Sequence, residues 1–229
     1  MRIIVSLTSW HKRIEQAKTT VYSLLNQTRK PDAVYLNLDT INFPNKLPQW
    51  IEECKAEHDN FFAPLQSIDL KVWQKIMPTI WRLDEEYEDT IIVTADDDVT
   101  YPETYLEEIE RNMQGCDWLC TKSNEYTMGQ YMVYGPKAIA ALDTAVDLDL
   151  IKNIPLDDHA IYWILQRYNC KRGKCTSTEC EDRQAGYSFR RYFIETNDES
   201  QLQDTTCEYP TAQFEKERAY LRKRGIIDR

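Results

Sequence analysis

The chain has 229 residues, 42% of them hydrophobic, so a single α/β domain with a substantial core is the expected organisation. Asp and Glu number 38 against 28 Lys and Arg, and this acidic balance excludes a nucleic-acid-coating protein, because phosphate backbones attract basic surfaces. The apolar run Arg2 to Thr8 is too short for a signal peptide and no stretch is long enough to span a membrane, so a cytoplasmic protein with a small partner is expected.

Ile3 to Thr8 reads as a first buried strand, and Ile14, Ala17, Val21, Leu24 and Leu25 recur at helical spacing. A basic segment stopped by Pro31 leads to Ala33–Leu38, which alternates like a second strand and leaves Asp39 just past its end. Pro48 opens a short helix through Trp50, Ile51 and Cys54, and a weak strand is expected near Ile68 to Val72. Ile76, Ile80, Leu83 and Tyr87 then form a helix stripe that leads into the strand Ile91-Ile92-Val93. This β-α-β-α-β-α-β order predicts a Rossmann-like, mainly parallel central sheet with helices on both faces.

Residues 1–100 are expected to form a nucleotide-sized half, and residues 101–229 a half shaped for a second, larger substrate, within one domain. The second half is expected to hold a helix near Glu103 to Met113, strands at Trp118–Thr121 and Tyr131–Tyr134, and helices from Pro136 and over Asp157–Tyr168. A short strand at Arg190–Ile194 and a basic helix over Ala212–Arg224 close the chain.

The strand at Ile91 empties into Asp96-Asp97-Asp98. Ligands of open α/β sheets bind at the carboxyl ends of strands, where alternation would turn Asp96 and Asp98 to one side of a crevice and Asp97 elsewhere. Adjacent carboxylates repel unless a cation or proton intervenes. Hard oxygen donors of this kind suit Mg2+ or Mn2+, shared with substrate phosphates and water. An acidic turn capping the next helix, which Pro102 and Glu103 would open, is the alternative.

Seven cysteines, an odd number without an export signal, indicate reduced thiols. Cys170, Cys175 and Cys180 are spaced unlike a zinc knuckle, and loose loop thiols explain them better than structural zinc does. Only six glycines occur and no glycine-loop nucleotide motif is present, so any nucleotide is held differently.

Three segments in this order resemble the family-2-like glycosyltransferases of bacterial surface-polysaccharide synthesis, which have the GT-A fold. The first is Val5-Ser-Leu-Thr-Ser-Trp-His-Lys-Arg-Ile14 with Ser23-Leu-Leu-Asn-Gln-Thr28 and Lys30-Pro-Asp32. The second is Ile91 to Pro102, similar to the family's Asp-x-Asp region, and the third is Pro155-Leu-Asp-Asp-His159, similar to its acceptor-side acids. The resemblance ends near Cys170.

It implies an inverting transfer of a sugar from a nucleotide-diphosphate donor, usually a UDP-sugar, to a saccharide or lipid-linked saccharide acceptor, with Mn2+ or Mg2+ across the diphosphate. By the same matching, Asp98 is the direct metal ligand, Asp96 holds the ribose or completes the metal shell, and Asp97 orients its neighbours. Thr8, Arg13 and Asp39 fall where the family holds base and ribose, and a carboxylate such as Asp39 can accept the imide proton of uracil. Lys75 would meet a donor phosphate or stand as a solvated helix-start lysine. Asp158, and next Asp157, is the acceptor base, while Asp157 can also cap its helix. His159 would complete the metal shell or lie on the helix surface.

Trp118, Tyr131, Tyr134 and Trp163 would stack on sugars or pack the core. Lys216, Arg218, Arg222, Lys223 and Arg224 would give peripheral contact with the inner face of an anionic membrane, or simply a solvated face. Two rival readings of the triplet are a haloacid-dehalogenase-like phosphatase with Asp96 as nucleophile and a calcium-binding module.

Overall fold

The computed structural model describes residues 1–84, 87–120, 132–173 and 211–228. Among these, seven strands form one sheet in the order β3-β2-β1-β5-β7-β6, with β4 also beside β2. The strands are β1 (Arg2–Thr8), β2 (Ala33–Asp39), β3 (Phe61–Phe62), β4 (Leu65–Gln66), β5 (Thr90–Ala95), β6 (Trp118–Cys120) and β7 (Met132–Tyr134). The helices are α1 (Ile14–Leu25), α2 (Gln49–Glu57), α3 (Met77–Arg82), α4 (Tyr105–Asn112), α5 (Pro136–Ala145), α6 (Leu148–Asn153), α7 (Asp157–Arg167) and α8 (Thr211–Lys223), with a 3₁₀ turn at Lys71–Lys75.

β1 pairs in parallel with β2 and with β5, whereas β7 runs antiparallel to both β5 and β6. Every residue of β5 is buried, as its unbroken β-branched run requires. Successive side chains divide between two cores. Ile3, Val5, Leu7, Ile91 and Val93 pack against α1, α2 and α4, while Ile4, Ile92, Met132 and Tyr134 pack against α3, α5 and α7. The result is three layers with helices on both faces of a mainly parallel sheet.

The weak strand expected near Ile68–Val72 is instead the start of the 3₁₀ turn. Lys71 adopts a left-handed conformation (φ 57°), its N–H is capped by Asp69 Oδ1 at 2.8 Å, and this breaks any extended run. The edge pairing of β2 is supplied instead by β3 and β4, two residues each. Tyr131, Cys175, Cys180 and the Arg190–Ile194 segment lie outside the described residues. Trp118 and Tyr134 are almost fully buried, so of their two readings the core side chain holds and the sugar platform does not.

α8 is not simply a solvated basic helix. Glu217 and Leu221 are buried, and Arg224 pairs with Asp147 at 2.9 Å and with Asp149 at 3.6 Å, leaving Lys216, Arg222 and Lys223 exposed. Among the described residues no helix is long and apolar enough to cross a membrane.

Candidate active site

β2 follows β1 on one side of the sheet, and the strands that follow β5 lie on the other. The loops leaving β1 and β5 therefore diverge, and a crevice of this kind is where open α/β sheets hold ligands. The acids of the triplet stand at its mouth. β5 ends at Ala95, so strand alternation no longer governs them, and their directions differ from expectation. Asp97 and Asp98 share one partner: Arg13 Nη2 bonds Asp97 Oδ1 and lies 2.7 Å from Asp98 Oδ2. Asp97 Oδ2 also accepts the Ser9 hydroxyl at 2.6 Å. Asp96 turns the other way, toward Lys75, whose Nζ lies 3.9 Å from Asp96 Oδ1 and 3.7 Å from Asp157 Oδ2.

Charge in this cluster is finely balanced. Burial raises the Asp96 carboxyl above its ordinary value, with Asp98 and Asp158 pushing the same way against Lys75 and Arg13. Burial lifts Asp97 to about 6 although Arg13 and Ser9 favour its charged form. Asp157 is also raised by burial and by Asp158, against Lys75. Burial works against the Lys75 ammonium, but Asp157, Asp96 and Asp158 outweigh it and hold its pKa above the ordinary lysine value.

The loop bearing the triplet is held by the second half of α1 and the residues just after it. Thr20 Oγ1 donates to the Asp97 carbonyl at 3.0 Å, and Ser23 Oγ accepts the Tyr101 N–H at 3.0 Å. Gln27 donates to the Pro102 carbonyl at 2.8 Å and accepts the Leu106 N–H at 3.0 Å, and the Thr28 N–H donates to the Glu103 carbonyl at 2.7 Å. The Ser-Leu-Leu-Asn-Gln-Thr phrase and the triple aspartate thus belong to one unit. At the other end of the loop, the Asp96 N–H donates to the Tyr101 hydroxyl at 2.9 Å.

Beside the triplet lies a cavity of about 330 Å3 whose wall includes Thr8, Arg13, Asp39 and Asp97. Four of the residues singled out in the sequence therefore meet here. Thr8 ends β1 and donates its hydroxyl to the Asn37 carbonyl at 2.7 Å. Asp39 is the last residue of β2 and not beyond it. Its Oδ1 accepts the N–H groups of Ile41 and Asn42 at 3.0 and 2.7 Å, and Oδ2 accepts the Asn42 side-chain amide at 2.8 Å. Ser9 and Trp10, from the first of the family-like segments, and Asp69, Lys71 and Gln74, which sequence reading did not single out as site residues, complete much of the wall.

α7 supplies the acceptor-side acids. Asp157 is its first residue and does not cap it: the N-cap is Leu156, without a side-chain bond, and the Asp157 carboxylate faces Lys75 and its own Asp158 N–H at 3.1 Å. Asp158 is the more exposed of the two. The structure does not turn His159 to the triplet. An α-helix advances about 100° per residue, so His159 points roughly opposite to Asp157. Its Nδ1 lies 2.9 Å from Glu217 Oε2 of α8, Phe214 meets its ring edge-on, and Nε2 has no hydrogen-bond partner among the described residues. Glu217, missed in the sequence, occupies the apolar stripe of α8 between Phe214 and Leu221.

Among the described residues no three His, Cys, Asp or Glu side chains converge to hold a metal by themselves. Asp96 and Asp98 nevertheless fit a hard divalent cation in part. They are close enough for Asp98 to raise Asp96, and Asp96 Oδ2 and Asp98 Oδ1 lie outside the ion pairs to Lys75 and Arg13. Mg2+-type sites commonly take one or two carboxylates and draw the remaining ligands from substrate phosphates and water.

The fold is GT-A-like, and it is shared with solved structures of enzymes that use sugar nucleotides. Residues 1–349 of TarS from S. aureus in complex with UDP-GlcNAc match with a TM-score of 0.57 at 12% identity, over 77% of this chain and 57% of that one. The mannosyltransferase PcManGT from Pyrobaculum calidifontis, in complex with GDP-Man and Mn2+, matches with a TM-score of 0.51 at 11% identity, over 75% of this chain and 53% of that one. The cytidylyltransferase IspD of Francisella tularensis matches at 8% identity with a TM-score of 0.51, over 93% of this chain and all of that one. At such identities the fold is what is shared, and the chain spans only 57% of the TarS complex. No protein-family model and no curated protein matches the sequence.

Proposed function

We propose that the chain is a metal-dependent glycosyltransferase that moves a sugar from a nucleotide-diphosphate donor, in the first instance a UDP-sugar, to a saccharide or lipid-linked saccharide. The observation that carries this reading is the meeting of donor-side and acceptor-side acids at one crevice: Lys75 lies within 4 Å of both Asp96 and Asp157, beside the cavity shared by Thr8, Arg13, Asp39 and Asp97. In this reading the cavity takes base and ribose, with Asp39 Oδ2 positioned to accept an imide N–H. Asp98 and Asp96 hold Mn2+ or Mg2+, which when bound offsets charge building on the departing nucleoside diphosphate. Arg13, between Asp97 and Asp98, fixes the loop that presents them.

Asp158 takes the proton of the acceptor hydroxyl as that oxygen attacks the anomeric carbon from the face opposite the diphosphate, and the bond to the donor breaks toward the leaving group. Asp157 is buried against Lys75 and supports its neighbour. A nucleotidyltransferase has less support, because the first glycine is Gly115 and no glycine-rich backbone cradle for a triphosphate follows β1. A phosphatase using Asp96 has less again, because that family's Asp-x-Asp-x-Thr signature normally sits on the first strand of its domain, whereas here β1, α1, β2 and α2 all precede β5.

Thermal unfolding with MnCl2 and a panel of UDP, GDP and CDP and their sugars tests the proposal. Stabilisation of about 2.7 kcal/mol is expected for the right nucleotide near 100 times its Kd, and only with metal. Asp98→Asn should lose that metal-dependent stabilisation, whereas Asp158→Asn should keep it and lose turnover by orders of magnitude. No nucleotide response, together with phosphomonoester turnover that Asp96→Asn abolishes, would sink the reading.

A further inference from the structure

The sheet face that packs on α3 contains polar groups that an apolar layer does not require. Ser6, Asn37 and Thr79 are all fully buried there. The Ser6 and Thr79 hydroxyls lie 2.6 Å apart, and the Asn37 amide donates to both, at 3.1 and 2.9 Å. The Ser6 hydroxyl in turn donates to the Lys75 carbonyl at 2.5 Å. With that proton committed, the bond between the hydroxyls runs from Thr79 to Ser6, so all the donors of this network lead to one backbone oxygen. Burying three polar side chains is costly unless they are satisfied; within this network Asn37 Oδ1 alone has no partner among the described residues, and what the bonds made here fix is the corner between the 3₁₀ turn and α3.

That corner aims one side chain. Lys75 reaches the crevice with its ammonium between Asp96, at the end of β5, and Asp157, in the first turn of α7. The ammonium is shared by two carboxylates from elements far apart in sequence, and a donor phosphate would have to compete with both. We infer that Lys75 is a positioning residue that ties the donor-side acid Asp96 to the start of α7, and so holds Asp158 at the donor, with Ser6, Asn37 and Thr79 as its anchor. This rests on the glycosyltransferase reading and assigns Lys75 a task other than phosphate binding.

The test uses the full chain with MnCl2, UDP and UDP-sugars, and reads UDP affinity, metal-dependent release of UDP from the donor into water, and hydrogen exchange of the peptide covering α7. Lys75→Met should slow UDP release at saturating donor by about 100-fold, the cost of a displaced catalytic group, while UDP affinity changes by less than about threefold. Exchange in the first turn of α7 should quicken, and Lys75→Arg should recover part of both effects. Ser6→Ala, which removes the donor to the Lys75 carbonyl and no charge, should reproduce a smaller fall in release with UDP affinity kept. It also serves if Lys75→Met does not fold.

Loss of UDP affinity by about tenfold or more with release at saturation intact would overturn the inference and make Lys75 a phosphate ligand. Unchanged exchange in α7 would overturn it equally. If the unaltered protein neither binds UDP nor releases it, the glycosyltransferase reading fails instead, and the α7 exchange of Lys75→Met still decides whether the bridge exists.

Discussion

Gln27 offers the most direct test of how the acidic loop is held. It is 1% exposed and its side-chain amide makes three hydrogen bonds, donating to the Ser23 and Pro102 carbonyls at 2.9 and 2.8 Å and accepting the Leu106 N–H at 3.0 Å. Gln27→Met keeps length and volume and removes all three. The Leu106 N–H is then left inside without this partner, at about 1–3 kcal/mol, while the Pro102 carbonyl keeps the Tyr105 N–H at 3.0 Å. A loss of about 1–3 kcal/mol follows, read as a lowered urea midpoint with an unchanged slope. The consequence reaches the site, because the same loop carries Asp98: metal-dependent UDP affinity of the still-folded protein should fall about tenfold, a displacement effect on a group the substitution does not touch. A variant within about 0.5 kcal/mol of the parent protein, the range of an ordinary surface substitution, would refute the clamp.

Two further outcomes follow from buried titratable groups. Asp97 stands at about 6 in the folded protein against an ordinary 3.8, so the folded state holds its proton more tightly than the unfolded chain. Its contribution to stability is therefore present below about pH 4 and lost as pH rises through about 6, by about 3 kcal/mol at most, and Asp97→Asn should flatten that part of a urea-midpoint profile; an identical profile would falsify the assignment. Burial, with Glu57 nearby, lifts the Cys54 thiol to about 11. At pH 8 about one molecule in a thousand carries the thiolate, so Cys54 should resist iodoacetamide until the protein unfolds, and rapid modification in the native state would contradict its burial.

The parts of the fold legible in the sequence were those with a long, unbroken hydrophobic signal. β1, β2 and β5 are buried on both faces or nearly so, and α1 and α7 carry stripes of several turns. Strands β3 and β4 have two residues each, too few for any period, and they are added to β2 by backbone pairing that side chains do not announce. The segment Ile68–Val72 alternated well enough to pass for a strand. Its fate was decided by Asp69, which caps the next turn, a local preference that pattern reading gives too little weight.

The site was legible as a set of acids and illegible as an arrangement. Asp96, Asp97 and Asp98 announced themselves as three carboxylates in a row, but strand alternation cannot assign directions beyond Ala95, where the strand ends. Their directions follow the cations instead: Arg13 from the start of α1 draws Asp97 and Asp98 together, and Lys75 draws Asp96 toward α7. Neither basic residue has a spacing that marks its partner. His159 was misplaced for a related reason, because its distance from Asp157 in sequence is short but helix rotation sends it to the other face, where Glu217 waits. A buried acid on the apolar stripe of an otherwise basic helix was the one available sign of that pairing. Such a residue calls for a buried cationic or hydrogen-bonding partner elsewhere in the chain, and with three histidines present the search would have been short. The same rule applied to Ser6, Asn37 and Thr79, polar or hydroxyl residues set in apolar elements, points to the corner from which Lys75 enters the crevice.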